Sequence, residues 1–384
     1  MKPIYIVDGA RTPFLKARNK PGPFGASDLA TVAGRAVLNR QPFAPRALDE
    51  VILGCASPSA DEVNIGRVVA LRMGCGEKVP GWTVMRNCAS GMQALDSAIV
   101  NMQSGRSNLV LAGGVDALSR APLFFSEQMV LWLSAFYAAK GVGGKLAAIT
   151  KFRPGYLAPV IGLVRGLTDP NVGQMMGHTA ENLAYRFGIT RKDMDEYSVR
   201  SHQRLARALD AGFIQPELAP LYERDGTVHK EDDGLRRDST MEGMAKLKPF
   251  FDRKFGNVTA ANSSQVTDGA AFLLLATQEA LEQHKLKPIA RIVDTQWAAL
   301  DPRQMGLGPV HAATPILQRH RLGLNHLDAW EINEAFAAQV LACLAAWKDD
   351  AYCRDGLGLP SALGALDEDK LNVDGGAIAL GHPV

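Results

Sequence analysis

Twice in this chain a strand-like run ends in a small-residue turn that opens a helix. The first is "GWTVMRN" into "ASGMQALDSAIVNMQSG", with Cys88 at the join; the second is "LNVDGG" into "AIALGHPV", with Gly376 at the join. "LDEVILG" at 48 is echoed in the same way by "LDAWEIN" at 327. A repeated strand–turn–helix order restricts the chain to an α/β architecture made of two similar halves. In the first half "PIYIVDG", "EVILGCA", "GWTVMRN" and "SNLVLAGGVDALS" read as strands, and "SDLATVAGRAVLNR" as a helix capped by Ser27 or Asp28. Their alternation with helices predicts a largely parallel sheet. The texture changes near Pro122 to apolar runs broken by Gly, Pro and basic residues, followed by helical stretches, one of them capped by Thr190. The strand–helix texture returns after Phe250. The expected division is therefore 1–121, an inserted and mainly helical 122–249, and 250–384. The repeat also predicts an incomplete second half: 28 residues separate Cys88 from Asp116, but only eight follow Gly376.

The size, 384 residues, exceeds one ordinary core. Hydrophobic residues make up 47% and charged residues 21%, with a formal net charge of +2, which excludes an acidic disordered tail or a broadly basic nucleic-acid surface. The cysteines, Cys55, Cys75, Cys88, Cys343 and Cys353, form no CxxC pair and no zinc spacing, so reduced thiols in a cytosol-like compartment are expected, with no metal. The opening residues read directly as strand and turn, so no signal peptide is expected, and the sequons at Asn257 and Asn262 carry no weight. No uncharged run is long enough to span a membrane.

Chemistry points to Cys88. A thiol at a helix start meets backbone N–H groups and the positive end of the macrodipole, which predicts a depressed pKa and an activated nucleophile. Ala89, Ser90 and Gly91 leave room for a substrate. A nucleophile needs a base. His178 and His382 lie among small residues; His202, His229, His284, His311, His320 and His326 lie in polar or helical surroundings expected at the surface. If the two halves face each other, His382 meets Cys88. "KGVGGK" at 140 lacks the spacing of a phosphate loop and reads as a hinge. Glu331 and Glu334 have no histidine at metal spacing and read as a partly buried helix start.

These stretches, taken in order, resemble the thiolases: "VDGARTPF" (7–14), "NCASGMQAL" (87–95), "AGGVDALSRAP" (112–122), "MMGHTAENLA" (175–184), "TAANSSQVTDGAA" (259–271), "MGLGPVHA" (305–312), "INEAFAAQ" (332–339) and "NVDGGAIALGHP" (372–383). The insertion is similar to that of the fatty-acid-degrading, trifunctional-type members. The resemblance implies a duplicated βαβαβαββ core in five layers, α-β-α-β-α, with an inserted loop domain. It implies an acyltransferase that cleaves 3-ketoacyl-CoA with CoA, giving acetyl-CoA and a shortened acyl-CoA. Cys88 matches the nucleophile, His382 its base, and Asn333 the residue holding a water that forms an oxyanion hole with His382. The Cys88 N–H matches a donor of the second hole. Ser264 matches a serine near the pantetheine arm and Met176 an acyl-pocket methionine. Coenzyme A is implied as substrate, with no permanently bound cofactor, in a cytoplasmic homodimer or homotetramer with a hydratase/dehydrogenase subunit as a further partner. Asn-Glu-Ala-Phe with Gly-His-Pro argues against the ketoacyl synthases and hydroxymethylglutaryl-CoA synthases. The alternatives are a short-chain acetoacetyl-CoA-forming acetyltransferase and a non-catalytic CoA-binding or interaction subunit. The latter arises because the family's second cysteine, in Cys-x-Gly-Gly-Gly, is absent from the 384 residues. On that reading the chain as given is expected to be a poor and poorly stable thiolase. The aromatic and basic segment 123–166 is expected to meet a partner or a membrane surface, or else to lie as a lid over the acyl pocket.

Overall fold

In the computed structural model, which describes residues 2–18 and 20–383, the apolar runs form one sheet. Its strands are β1 (Ile4–Arg11), β2 (Glu50–Gly54), β3 (Gly81–Val84), β4 (Leu109–Ala117), β5 (Thr267–Thr277) and β6 (Ala290–Ile292), with Leu15–Lys16 paired alongside β5. They lie in the order β6-β1-β5-β4-β2-β3. Parallel pairing, as the strand–helix alternation predicts, joins β4, β2 and β3. β5 runs antiparallel between β1 and β4, and β6 runs antiparallel to β1. The sheet is thus parallel on one flank and antiparallel on the other. A strand that arrives after a long insertion, without a crossover helix, can enter from either end. Strand β5, which the sequence groups with the second half, runs through the centre of this sheet.

Both faces of the sheet are covered, which is why β2 is apolar at successive positions rather than alternating. Val51 and Leu53 face the core beneath helices α1 (Ala26–Leu38) and α2 (Ile65–Arg72). Ile52, with Val110, Ala112 and Leu275, faces helix α3 (Ser90–Gln103), which buries Ala94, Ala98, Ile99 and Met102 there. Burying a side chain the size of Met102 stabilises by about 1.5–3 kcal/mol. The cap of α1 differs from expectation. Gly25 is the N-cap, and Asp28, three residues on, accepts the Gly25 N–H at 3.0 Å. Ser27 cannot serve because its hydroxyl is engaged by Glu62 and Arg72.

Two helices of the insertion, α4 (Glu127–Ala138) and α5 (Gly141–Ile149), pack mainly on each other. Trp132 stacks on Phe136 at 5.5 Å and meets Phe152 edge-on at 4.9 Å. A two-stranded ribbon, Leu123–Phe124 with Val160–Ile161, closes the base of this lobe. The chain then returns to the body through α6 (Met176–Phe187) and α7 (Arg191–Asp210). Thr190 caps α7 as expected: its Oγ1 accepts the Asp193 N–H at 3.2 Å, and the Asp193 carboxylate accepts the Thr190 N–H at 2.8 Å.

In the second half α6 packs with α8 (Gly308–His320) and α9 (Ala337–Lys348) around Leu183, Val310, Val340 and Trp347. Among the described residues no strand follows Ile292. Trp330 and Leu371 instead meet as a single parallel bridge, the same sense of pairing as β2 with β3. The repeat reaches the backbone: Asn87 has φ of 46° and Asn372 φ of 47°, both in the left-handed region.

Candidate active site

The turn carrying Cys88 is built locally. Left-handed Asn87 reverses the chain, and the Ala89 N–H bonds the Arg86 carbonyl at 3.0 Å. The Ser90 hydroxyl accepts the Arg86 N–H at 2.9 Å and donates to the Asn87 carbonyl at 2.7 Å, closing a ring around the cysteine. The turn rests on the end of β2. A Cβ at Gly54 would lie 2.3 Å from the Ser90 carbonyl carbon, so only glycine lets the two segments approach. Cys88 is exposed, two residues ahead of α3, and among the described residues its N–H meets no acceptor. That leaves the N–H without a backbone partner, as an oxyanion donor requires. The thiol pKa is raised, not depressed as the helix-start argument predicts. Desolvation by the surrounding chain is the main cause, opposed by the cysteine's own N–H and reinforced by the charge of Asp116. The helix terminus is one favourable contribution among larger unfavourable ones.

The turn carrying His382 is held by tertiary contacts. Its N–H donates to the Gln265 carbonyl at 3.0 Å, and His382 pairs with Val266 just ahead of β5. Gly381 has φ of 113°, and a Cβ there would lie 2.3 Å from Thr267 Cγ2. Pro383 rests on Gly269, while Gly91, three residues after the nucleophile, rests on Gly114. In the β4–β5 register Gly114 stands opposite Ala271, and Gly269 opposite Asp116, on the same face as α3. The two turns therefore lie on one face of the sheet over neighbouring strands about 4.8 Å apart. Among the described residues no hydrogen bond joins Cys88 Sγ to His382. Burial pulls the His382 imidazole down to about 4, so it is neutral at physiological pH and free to take a proton. Its Nε2 lies 3.4 Å from Asn333 Nδ2.

Ser264 is next to Gln265 and donates its N–H to the Ala335 carbonyl at 2.9 Å, so it belongs to the same wall as Asn333. Met176 opens α6, its N–H bonded to the Leu167 carbonyl at 2.9 Å; no described hydrogen bond joins it to the Cys88 or His382 turns. Glu334 is not at a helix start, since α9 begins at Ala337. It is 1% exposed and accepts from Tyr197 Oη (2.9 Å), Asn372 Nδ2 (3.0 Å), Ser201 Oγ (2.7 Å) and the Ile378 N–H (3.2 Å). This knot fixes the Asn333 and His382 segments to α7. His202 is not a surface residue either. It is 3% exposed, its Nδ1 accepts the Arg236 N–H at 3.2 Å, and desolvation lowers its pKa to about 4. It lines a cavity of about 190 Å³ with Arg236, Ser239, Gln265 and Ile378, and the Gln265 carbonyl also accepts the His382 N–H. Sequence reading misses Gln265, His202 and the glutamate knot. For Glu334 a signal existed: a carboxylate inside the apolar run "INEAFAAQ" must find buried donors.

Residues 4–279 match the family model for the thiolase N-terminal domain, and residues 286–384 that for the thiolase C-terminal domain. The chain belongs to the thiolase family. It is 39% identical over 387 residues to the β-ketoadipyl-CoA thiolase of Pseudomonas aeruginosa, covering 99% of this chain and 88% of that one. It is 35% identical to the mitochondrial trifunctional enzyme subunit beta of Homo sapiens, covering 99% and 79%. Among solved structures, human mitochondrial 3-ketoacyl-CoA thiolase in complex with CoA superposes with a TM-score of 0.84 at 33% identity, covering 100% of this thiolase and 87% of that chain. The Bacillus anthracis acetyl-CoA acetyltransferase does so at 0.84 and 34% identity, covering 100% and 89%. The expected thiolase fold is thereby established.

Proposed function

We propose that this thiolase cleaves 3-ketoacyl-CoA with CoA through an acyl-enzyme on Cys88, as in fatty-acid β-oxidation. The thiol sulfur attacks the 3-keto carbon while its proton passes to neutral His382. The C2–C3 bond then breaks, leaving the shortened acyl group as a thioester on Cys88 and an acetyl-CoA enolate. The free Cys88 N–H is the donor for the oxyanion on the attacked carbon. Asn333, beside His382, holds the water that with His382 stabilises the enolate oxygen. Protonation of the enolate carbon requires a second acid/base, in the role the family gives to Cys-x-Gly-Gly-Gly; Cys55, Cys75, Cys343 and Cys353 are all buried. The thiol of a second CoA attacks the acyl-enzyme thioester and gives its proton to the second acid/base, replacing the one lost to the enolate; shortened acyl-CoA leaves as His382 returns its proton to Cys88. CoA acts as substrate, with the cavity beside Gln265 and neighbouring Ser264 as the pantetheine path and Met176 toward the acyl chain.

The observation that carries this reading is the meeting of the Cys88 and His382 turns on one sheet face with Asn333 against His382. Incubation with acetoacetyl-CoA followed by peptide mass mapping should place an acetyl group on Cys88. Acetylation of Cys55 or Cys343 in its place would overturn the assignment. The similarity to an acetyl-CoA acetyltransferase favours a second reading, condensation of short chains to acetoacetyl-CoA. Comparing thiolysis of short and long 3-ketoacyl-CoA separates the two.

No helix among the described residues is long and apolar enough to cross a membrane, and the free cysteines support a reducing, cytoplasmic setting. We read the working form as a homodimer or homotetramer. The similarity to a trifunctional enzyme subunit supports a hydratase/dehydrogenase subunit as further partner, docked on the lobe of α4 and α5. There Leu131, Tyr137 and Val142 are 63%, 77% and 78% exposed. Co-purification tests that docking. Liposome flotation without co-purification would give the lobe to a lipid surface, and failure of both would make it a lid.

A further inference from the structure

Asp116 is the next-to-last residue of β4, wholly buried, between the turns that carry Cys88 and His382. On one side it accepts the Ala56 N–H at 2.9 Å and the Ser57 N–H at 2.7 Å, with the Cys55 thiol at 3.5 Å. The turn it grips continues β2 beyond Gly54, where Ser90 is seated, and the Cys55 N–H bonds the Val84 carbonyl at 3.1 Å, at the last residue of β3 before the Cys88 turn. On the other side Asp116 stands opposite Gly269, the residue beneath Pro383. Among the described residues no Lys, Arg or His nitrogen lies within ion-pair distance of it. A buried carboxylate without a cation is costly to keep, so its retention beside a nucleophile points to a task.

On the reading of Cys88 as the acyl carrier, we propose that Asp116 is a positioning residue for that cysteine: it pins the turn on which the Cys88 loop is built, and its uncompensated negative charge adds to burial in holding the resting sulfur as a thiol until His382 receives the proton. Attack then begins from a neutral thiol–imidazole pair. This protects the sulfur from electrophiles when no substrate is bound, because the thiolate is the reactive form.

The titratable groups facing this position leave a clear window. Burial holds the Cys55 thiol far above its ordinary value, and His382 is neutral above about 4. Asp268, the other carboxylate nearby, is held by the Ser119 N–H at 2.8 Å and by the Ser119 hydroxyl. Desolvation raises Asp116 itself to about 6. Its charge is therefore absent at pH 5 and present at pH 8.

The test is the rate of iodoacetamide alkylation of the Cys88 peptide, followed by mass spectrometry from pH 5 to 8 in the full chain and in Asp116→Asn. This reads the sulfur directly and does not depend on turnover, so it fails or succeeds apart from the thiolase assignment. The ratio of variant to parent rates should rise from near one at pH 5 to on the order of tenfold at pH 8, a shift of about one pH unit in the thiol. A purely structural disturbance would change the rate by the same factor at every pH, and such a flat ratio overturns the proposal. The parent chain alone supplies a check that survives a misfolded variant. Coupling between Asp116 and Cys88 flattens the plot of log rate against pH between about pH 6 and 7, and a straight line of unit slope through that range would overturn it equally.

Discussion

Asn87 and Asn372 use the same left-handed backbone to leave a bridged segment and enter a turn, yet their surroundings are opposite. Asn87 is exposed; it turns the chain, and its near neighbours Arg86, Ala89 and Ser90 close the loop around it. Asn372 is 1% exposed, and its side chain donates to Tyr197 Oη, the Ile332 carbonyl and Glu334 while accepting the Ile332 N–H at 2.9 Å. The first presents a sulfur to solvent on a loop made of its own neighbours. The second has Val373 in the following position and uses its rigidity to deliver His382 from a distance. On the proposed roles, the nucleophile sits where access is needed, and the base where a desolvated, fixed imidazole is needed.

The sharpest break of this contrast is His382→Ala. It leaves the Cys88 turn intact and removes only the proton acceptor, so the rate of Cys88 acetylation by acetoacetyl-CoA should fall by about 10²–10⁴-fold. Unchanged acetylation would mean that the two turns do not act as a pair. Next in size is Asn372→Gly, which keeps a residue suited to positive φ but strips four buried hydrogen bonds. A loss of about 3 kcal/mol in urea unfolding is expected, since several buried donors and acceptors are left unpaired.

An effect of about 2 kcal/mol comes from acid. The folded pKa of His202 is near 4 and its ordinary value is 6.5, so the unfolded chain binds the extra proton first. Its contribution is therefore complete above about pH 6.5 and is lost as pH falls toward 4, amounting to about 2 kcal/mol by pH 5. His202→Gln should flatten the thermal melting profile over that interval; an unaltered profile would show that His202 is not buried neutral. The smallest effect belongs to Asn87→Gly, expected within about 0.5 kcal/mol of the parent, because glycine adopts this conformation readily and no side-chain bond is lost. If it destabilises as much as Asn372→Gly, the two turns are not an open and locked pair.

Much of this was legible in the sequence where a local rule governs. The strands of the first half, the Thr190 cap and the family follow from periodicity, from a side chain three residues from its partner, and from the ordered motifs. What escaped was set by contacts between distant segments. The central place of β5 depends on pairing with β1 and β4 across long separations. His202 is a residue on a polar-looking helix whose inner face is decided by Arg236 and the cavity. The cap of α1 moved because Glu62 and Arg72 claim the Ser27 hydroxyl. The Cys88 shift runs opposite to the helix-start expectation because a helix start is visible in one dimension, whereas the desolvation that dominates, with Asp116 adding to it, arises only once the sheet is assembled.

The nucleophile's turn consists almost entirely of contacts among residues 50–116, whereas His382 is seated on β5 and arrives about 300 residues after Cys88. On the proposed roles, synthesis from the N-terminus makes the sulfur's cradle early and its base much later. Through most of the chain's production the thiol exists without a partner that can accept its proton. On the proposed mechanism the thiol and its base come together only in that late docking, the placement of Gly381–Pro383 on Thr267 and Gly269.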